Sequence, residues 1–394
     1  MSLRRELLVS FAVQGAGAAA VLLATLLLGK GLGPEAQGVF SHVKAEVEFV
    51  CAFAMFGLPQ ALFFHVKSGG LSVRAALRWV AGCALLALPL AAAYAAWRTQ
   101  PAGVVALMAL AVAAAVAHGI LRALVLVRDR TAWFNVLTAL PQVLVLAGVV
   151  AVLWAGDAGA PGWLALFAAA NVASAAVAWL RLRRAPPEAP HGEAGWRTLA
   201  HYGLAAWLTA ALVTAAILLV QRWVEAALGR AALGQFTMAM TLVQVPLTPI
   251  SYAAPLLLRR WMERPGAAAS RRGATIVLGL LLACAGLAWL AAFVRPDLGL
   301  GAAYAGATRA LAVLLAGGAA EAASRVLTVQ ASARGTPWIA VRAESARWSV
   351  LALGWYALAA PSLEAVCATW AAGAWAAAGV FAWCARRDAR ETAA

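Results

Sequence analysis

Residues 103–127 read GVVALMALAVAAAVAHGILRALVLV, an unbroken apolar stretch with one charged residue. As a helix it is long enough to cross the hydrocarbon core of a bilayer, which takes roughly 20 residues. The whole chain shares this character, since 64% of its residues are hydrophobic and only 12% are charged. Ordinary soluble domains carry about 25% charged residues. The composition therefore predicts a membrane protein.

Similar stretches recur along the chain, separated by polar breaks. About a dozen are long enough to span a bilayer, and they lie at 7–28, 37–66, 75–97, 103–127, 132–154, 162–182, 202–228, 233–258, 274–294, 302–330, 337–360 and 363–384. Backbone amides in hydrocarbon must be satisfied within their own segment, and barrel strands would alternate in hydropathy. The pattern therefore predicts an all-α polytopic membrane protein of about 12 transmembrane helices.

Basic residues are distributed unevenly between the two sides of this predicted bundle. The net charge is +15, and most of it falls in alternate loops, to which Arg122, Arg342 and Arg347 are also assigned. The intervening loops carry only Lys30, Arg98, Arg230 and Arg295. Positive charge accumulates on the cytoplasmic side of membrane proteins. Both termini are therefore predicted to be cytoplasmic, and binding of nucleic acid is not expected.

A polar linker with three prolines divides the predicted spans equally. It predicts an N-terminal six-helix lobe at 1–184, a cytoplasmic linker at 185–198 and a C-terminal six-helix lobe at 199–394. With an even number of spans, both lobes have the same orientation. A parallel pseudo-two-fold relation between them is therefore expected.

An internal repeat supports this division. Leu28-Gly29-Lys30 precedes Ala36-Gln37-Gly38-Val39-Phe40, and Leu228-Gly229-Arg230 precedes Ala232-Leu233-Gly234-Gln235-Phe236. Aligning Gly29 with Gly229 makes the second loop shorter, because six positions separate Lys30 from Ala36 but two separate Arg230 from Ala232. Glycine permits the sharp reversal that a short interhelical loop needs. Pro59 later in the second span predicts a kink there.

Charged residues inside the spans are the candidate functional residues. A charge at the bilayer centre costs on the order of 3 kcal/mol unless it meets water or a partner. Spacing of three or four residues places pairs of them on one helix face, so they either neutralise each other or line a wet cavity. The cavity is favoured for Lys44, Glu48, Glu321 and Arg325. As a set, they are predicted to line a central cavity that binds the phosphate of an anionic substrate: Lys44, Glu46, Glu48, Arg222, Glu225, Arg309, Glu321 and Arg325.

Motifs of soluble enzymes are absent from the sequence. No P-loop is present, and the four aspartates form neither a DxD motif nor a carboxylate pair. We therefore expect no enzymatic activity, no metal site and no cofactor.

Several short motifs resemble one known family. Residues 32–41, LGPEAQGVFS, resemble the "LGPEAxGxYS" segment between the first two helices of polysaccharide flippases. Residues 56–62, FGLPQAL, resemble the "GLPxAL" that follows it, 232–236 resemble the "ALGxY" of the second lobe, and 334–338 resemble the "GxP" before the eleventh helix. These flippases form a branch of the multidrug/oligosaccharidyl-lipid/polysaccharide (MOP) exporter superfamily.

The resemblance implies a function and its partners. It implies a flippase of the bacterial inner membrane that moves a polyprenyl-(pyro)phosphate-linked oligosaccharide to the periplasmic leaflet by alternating access, for O-antigen or exopolysaccharide synthesis. Membrane lipids and the glycan polymerase and ligase machinery would be its partners. A cation-coupled multidrug exporter of the same superfamily is the alternative, and a membrane enzyme and an assembly scaffold are further ones. The acidic residue that often marks the seventh helix has no clear counterpart at 221–225, so the coupling ion is left open.

Overall fold

The computed structural model describes residues 3–67, 70–128, 131–156, 159–184, 196–263, 286–287, 289–291, 293–334 and 336–391. Throughout these residues, every regular element is a helix and no strand is found. The all-α prediction is therefore confirmed.

The helices follow the predicted spans closely. In chain order they are α1 (Leu3–Gly31), α2 (Gly33–Ala54), α3 (Leu58–Lys67), α4 (Val73–Trp97), α5 (Ala102–Arg128), α6 (Thr131–Ala155), α7 (Gly159–Arg183), α8 (Trp196–Glu263), α9 (Ala307–Ala333), α10 (Trp338–Ala357) and α11 (Leu363–Glu391), with a 3-10 turn at Ala302–Tyr304 before α9. The span predicted at 274–294 lies largely outside the described residues.

Many of these helices are suited to a bilayer by length and hydropathy. Eight helices of the described part are long and apolar enough to span it, or up to nine when the bent pair α2 and α3 counts as one span. One of the eight, Gly203–Thr248, is 46 residues long and contains most of two predicted spans. Helix α10 is not among them, because it carries Arg342, Glu344 and Arg347. A polytopic membrane protein is therefore confirmed.

Helices α2 and α3 form one bent span. They meet at an angle of 48°, and the residues at the bend have positive φ, 47° for Phe56 and 67° for Gly57. A Cβ atom on Gly57 would collide with the backbone carbonyl of Gly203. Pro59 sits in the first turn of α3, where proline is compatible with a helix. The predicted kink exists, but it begins before Pro59 and is made by Phe56 and Gly57.

The described helices divide into two compact units. Unit 1 comprises residues 1–24 and 40–215, and unit 2 comprises residues 25–39 and 216–394. In unit 1, α5 packs against α3, α4, α6 and α7. In unit 2, α11 packs against both α9 and α10, over a buried core that includes Trp223, Phe236 and Leu314. The lobe boundaries derived from the sequence stay a prediction.

The repeat has a different register from the one predicted. Helix α8 contains two helices that meet at Gly229, which has φ 85° and ψ 174°. Its counterpart in the first copy is Gly33, which has φ 81° and separates α1 from α2. Gly29 is an interior residue of α1, so aligning it with Gly229 was wrong. With Gly33 as the counterpart, five identical residues of the two copies are related by one constant offset. They are Leu, Gly, Ala, Gly and Phe, which lie at 32, 33, 36, 38 and 40 in the first copy and at 228, 229, 232, 234 and 236 in the second.

The two copies of the repeat contact each other inside unit 2 through their glycines. A Cβ on Gly38 would lie 2.9 Å from the carbonyl oxygen of Arg230, and a Cβ on Gly234 would collide with the carbonyl group of Pro34. Each glycine therefore meets the residue four positions before the other glycine. This reciprocity explains why both copies require glycine here, since only glycine lets two helix backbones approach so closely.

Candidate functional site

A buried ion pair joins two helices of unit 2. Nη2 of Arg347 on α10 lies 2.6 Å from Oε2 of Glu321 on α9. The Arg347 side chain is only 1% exposed. Glu321 lies near the middle of the 27-residue α9, and Arg347 lies near the middle of the 20-residue α10. Both residues are therefore far from the helix ends, where long side chains reach the interface.

Three further residues extend this pair into a network. Nε of Arg347 lies 3.0 Å from Oε2 of Glu344, one turn earlier on α10. Nε of Arg325 lies 3.4 Å from Oε1 of Glu321, and Nη2 of Arg325 donates to Oε1 of Gln244 on α8 at 2.9 Å. We call these five residues the charge network. It links α8, α9 and α10 through charge-assisted hydrogen bonds.

Helix α11 forms one wall of the charge network. The guanidinium carbon of Arg347 lies 5.2 Å from the ring centre of Trp370, within the range of a cation–π contact. One turn further on, a Cβ on Gly373 would come within 3.0 Å of the Cγ atom of Arg347. A glycine at this position therefore makes room for the aliphatic part of the arginine.

The charge network is neutral overall but unequal in access. It contains two carboxylates and two guanidinium groups, so the formal charges cancel. The Arg325 side chain is 28% exposed, whereas that of Arg347 is 1% exposed. Arg325 is therefore the cation that a ligand can reach, and Arg347 holds the carboxylates in place. A proton, cation or anion that competes for Glu321 or Arg325 would loosen the link between the three helices.

The structure corrects the assignment of three arginines. The charge distribution placed Arg122, Arg342 and Arg347 in cytoplasmic loops, but Arg122 lies inside α5 and the other two lie inside α10. Glu344 and Gln244 were not predicted as site residues either. The spacing of Glu344 and Arg347, three positions on one helix face, is the signal that could have identified the pair.

Unit 1 has its own charged group on α2. Oε1 of Glu46 lies 3.5 Å from Nε2 of His42 and 3.6 Å from Nε of Arg98. It also accepts a hydrogen bond of 3.1 Å from the hydroxyl of Tyr94 on α4. This carboxylate therefore has partners on two helices. Its neighbours on α2 have different contacts, because Nζ of Lys44 and Oε1 of Glu48 form a local pair at 2.8 Å.

Exposure separates these two groups of α2. The side chains of Lys44 and Glu48 are 46% and 48% exposed, whereas that of Glu46 is 19% exposed. The pair Lys44–Glu48 is thus open to its surroundings, as a cavity or a lipid-facing position would require.

The remaining predicted residues lie in separate contacts. Glu225 pairs with Arg230 at 3.1 Å, and Arg309 pairs with Glu364 at 3.8 Å. Arg222 is partly buried on α8. The pairs expected at spacing of four, Lys44 with Glu48 and Glu321 with Arg325, are present. That all eight residues line one central cavity stays a prediction.

An open apolar groove of about 440 Å³ also lies in unit 2. Its lining has no charged side chain and consists of Gly286, Trp289, Ala312, Val313, Ala316, Ala368 and Ala371. It suits a hydrocarbon group rather than a charged ligand. In the described part of the chain, no three His, Cys, Asp or Glu side chains come together as a metal site requires.

Comparison with known proteins identifies the fold. No family model matches the chain, and no curated protein matches its sequence. Solved structures do match. A multidrug resistance MATE family transporter of the MOP superfamily in its inward-facing conformation has a TM-score of 0.68 at 13% identity, over 98% of this chain and 100% of that chain. A MATE structure in the straight conformation has a TM-score of 0.69 at 15% identity, over 98% and 95% of the two chains.

A third match is a MOP superfamily transporter from Pyrococcus furiosus. Its TM-score is 0.63 at 13% identity, over 98% of this chain and 94% of that chain, and it is described as having a binding pocket of reverse polarity that suggests a different function. The present chain therefore has the fold of MATE transporters of the MOP superfamily over nearly its whole length.

Proposed function

We propose that this protein is a membrane transporter that works by alternating access. The observation that carries the proposal is the likeness of its fold to MATE structures in both inward-facing and outward-facing conformations. Transporters of this general kind rock helical bundles around a site near the middle of the membrane. The charge network places ionised groups near the middle of α9 and α10, where charge is costly unless it serves a function.

The first candidate cargo is a lipid-linked oligosaccharide with a polyprenyl-(pyro)phosphate anchor. Five carboxylates inside the helices are already neutralised, because each lies 2.6–3.6 Å from a cationic side chain. They belong to Glu46, Glu48, Glu225, Glu321 and Glu344. Arg325 is partly exposed, and a guanidinium binds phosphate through two parallel hydrogen bonds. The motifs at 32–41 and 56–62 favour the same cargo. The protein would then act in the bacterial inner membrane, and a glycan polymerase and a ligase would use its product.

The second candidate is a cation-coupled exporter of small molecules. The matching solved structures include multidrug resistance transporters, so the comparisons support this candidate more directly than the first. Glu321 gives it a physical basis, because this carboxylate lies against both Arg347 and Arg325. A coupling cation or proton would compete with these arginines for the carboxylate.

Complementation of a gene deletion distinguishes the two cargoes. For the flippase, deletion leaves a lipid-linked glycan on the cytoplasmic leaflet, and Arg325→Gln restores its transfer less well than Glu321→Gln does. For the exporter, deletion raises sensitivity to cationic drugs, and Glu321→Gln is the more damaging change. Arg334→Gln is the matched control, because it removes an exposed arginine at the end of the same helix that is not among the predicted cavity residues. If purified wild-type protein in liposomes moves neither cargo, the transporter proposal is wrong.

A further inference from the structure

Among the residues that the structure describes, an arginine inside unit 1 lies between apolar helices without a matching carboxylate. Arg122 is about two turns before the end of α5. Its Nη1 atom donates to Oγ1 of Thr138 at 3.4 Å, and its guanidinium carbon lies 5.4 Å from the ring centre of Phe134. Its Nε atom is buried and has no hydrogen-bond partner. Within the described part of the chain, no carboxylate forms an ion pair with it.

These contacts do not compensate for the burial of a charge. Arg122 is partly buried, arginine stays protonated in proteins, and a charge without a partner becomes more unfavourable as its burial increases. A hydrogen bond of 3.4 Å is at the long end of the useful range, and a single cation–π contact recovers only a small part of the lost hydration. A bound anion would supply the missing interaction.

Neighbouring side chains shape this position. One turn before Arg122, Nε2 of His118 donates to the carbonyl oxygen of Leu137 at 3.0 Å, which fixes α5 against α6. On α7, the guanidinium carbon of Arg181 lies 4.0 Å from the ring centre of Trp133. Trp133 and Phe134 are consecutive on α6, and each of their rings makes a cation–π contact with an arginine. Helices α5, α6 and α7 all pack against one another.

We infer that unit 1 binds a phosphate-type anion between α5 and α6, with Arg122 as its charged ligand and Thr138 as the residue that positions the guanidinium. A guanidinium held against an aromatic ring keeps its planar donors available for two phosphate oxygens. The source of this phosphate is an anionic lipid headgroup or a soluble phosphate compound. The inference goes beyond the transport function and holds for either cargo.

Binding to the purified full-length protein tests the inference. Inorganic pyrophosphate is titrated against protein in neutral detergent, and retained phosphatidylglycerol is compared with phosphatidylcholine in nanodiscs that contain both. Wild type is expected to bind pyrophosphate in preference to chloride, or phosphatidylglycerol in preference to phosphatidylcholine, or both. Arg122→Gln is expected to weaken that binding about tenfold or more, since a charge-assisted contact is lost. Pyrophosphate binding indicates a soluble ligand, and selective lipid retention indicates a headgroup.

Matched variants separate this site from general basic charge. Arg183→Gln removes an exposed arginine that lies over Trp179 on α7, and it is expected to bind like wild type. Because the Thr138 hydroxyl positions the guanidinium of Arg122, Thr138→Val is expected to weaken anion binding. Thr138→Ser keeps the hydroxyl and is expected to bind like wild type. Without added anion, Arg122→Gln is expected to melt no lower than wild type, because it removes an uncompensated charge.

Three results would overturn the inference. The first is that wild type binds neither probe, and the second is that Arg122→Gln binds as tightly as wild type. The third is that wild type binds no anion but Asp129→Asn does. This result would show that Asp129, which follows α5 in sequence and lies outside the described residues, neutralises Arg122.

Discussion

Nη2 of Arg347 lies 2.6 Å from Oε2 of Glu321, so a fully buried arginine of α10 forms an ion pair with a carboxylate of α9. Glu344 approaches the same guanidinium at 3.0 Å. Two carboxylates therefore share one buried cation. Loss of this cation would remove the ion-pair contact of Glu344 with Arg347 and leave Glu321 with its longer contact to Arg325.

Replacement of Arg347 by methionine is expected to destabilise the protein strongly. Removing one partner from a buried ion pair typically costs about 3–5 kcal/mol, because the other charge stays buried. Unfolding of the purified protein in mixed micelles measures the change. Arg309→Gln is the control, since the pair of Arg309 with Glu364 is 3.8 Å long and exposed. Exposed pairs contribute about 0–1 kcal/mol. Equal effects of the two substitutions would show that the charge network is not structural.

The sequence alone revealed only part of this network. Glu321 and Arg325 were recognisable because they are four residues apart on one predicted helix. Arg347 was assigned to a loop, because a count of positive charge by position does not distinguish a loop arginine from one buried inside a helix. Its partner Glu321 is distant in sequence, and such tertiary partners depend on how helices pack. Gln244, an uncharged residue in an apolar span, gave no signal of its own.

The fold was more predictable than the site. Span positions follow from hydropathy, because hydrocarbon imposes the same length and composition on every crossing helix. The alignment of Gly29 with Gly229 failed because identity of short motifs does not report φ. Gly33 and Gly229 are equivalent because both have φ above 80°, and that property is visible only in the folded backbone.

Gly234→Ala is expected to destabilise unit 2. A Cβ at this position would collide with backbone atoms of Pro34, which cannot move aside as a side chain could. Overpacking of this kind costs typically about 1–3 kcal/mol. Gly82→Ala is the matched control, because no atom lies within 4 Å of its Cβ position in α4. It should stabilise the helix by about 0.5–1 kcal/mol. Thermal melting of both variants checks the opposite signs, and a neutral Gly234→Ala contradicts the close contact.

Asn135→Leu is expected to weaken the packing of α1 on α6. The Asn135 side chain is fully buried; it accepts a hydrogen bond from Gln14 and donates one of 2.8 Å to Oγ of Ser10. Leucine leaves both α1 groups without this partner, at a cost of about 1–3 kcal/mol. In Asn171→Leu, the control, the lost hydrogen bond joins α7 only to itself, at Phe167. Unfolding in mixed micelles should therefore show a smaller loss for Asn171→Leu, and equal losses would contradict an interhelical role for Asn135.

Asp297 should make stability depend on acidic pH. Its carboxylate, in the loop before α9, accepts backbone hydrogen bonds of 3.0 and 3.1 Å from Gly299 and Gly301. These bonds, with the nearby positive charge of Arg295, lower the pKa of Asp297 below the usual aspartate value. Because the folded-state pKa is the lower one, its contribution to stability is complete above the unfolded value of about 3.9 and is lost as pH falls through the folded pKa.

The comparison of wild type with Asp297→Asn tests this dependence. Near neutral pH the variant should melt below wild type, since asparagine provides a neutral acceptor and only one oxygen for the two backbone donors. The difference in melting temperature should shrink as the pH is lowered below about 4, where the wild-type aspartate becomes protonated as well. Gly82→Ala corrects for acid effects elsewhere, because it leaves every ionisable group unchanged. A difference that stays constant across the acidic range would mean that the two backbone hydrogen bonds do not favour the ionised carboxylate.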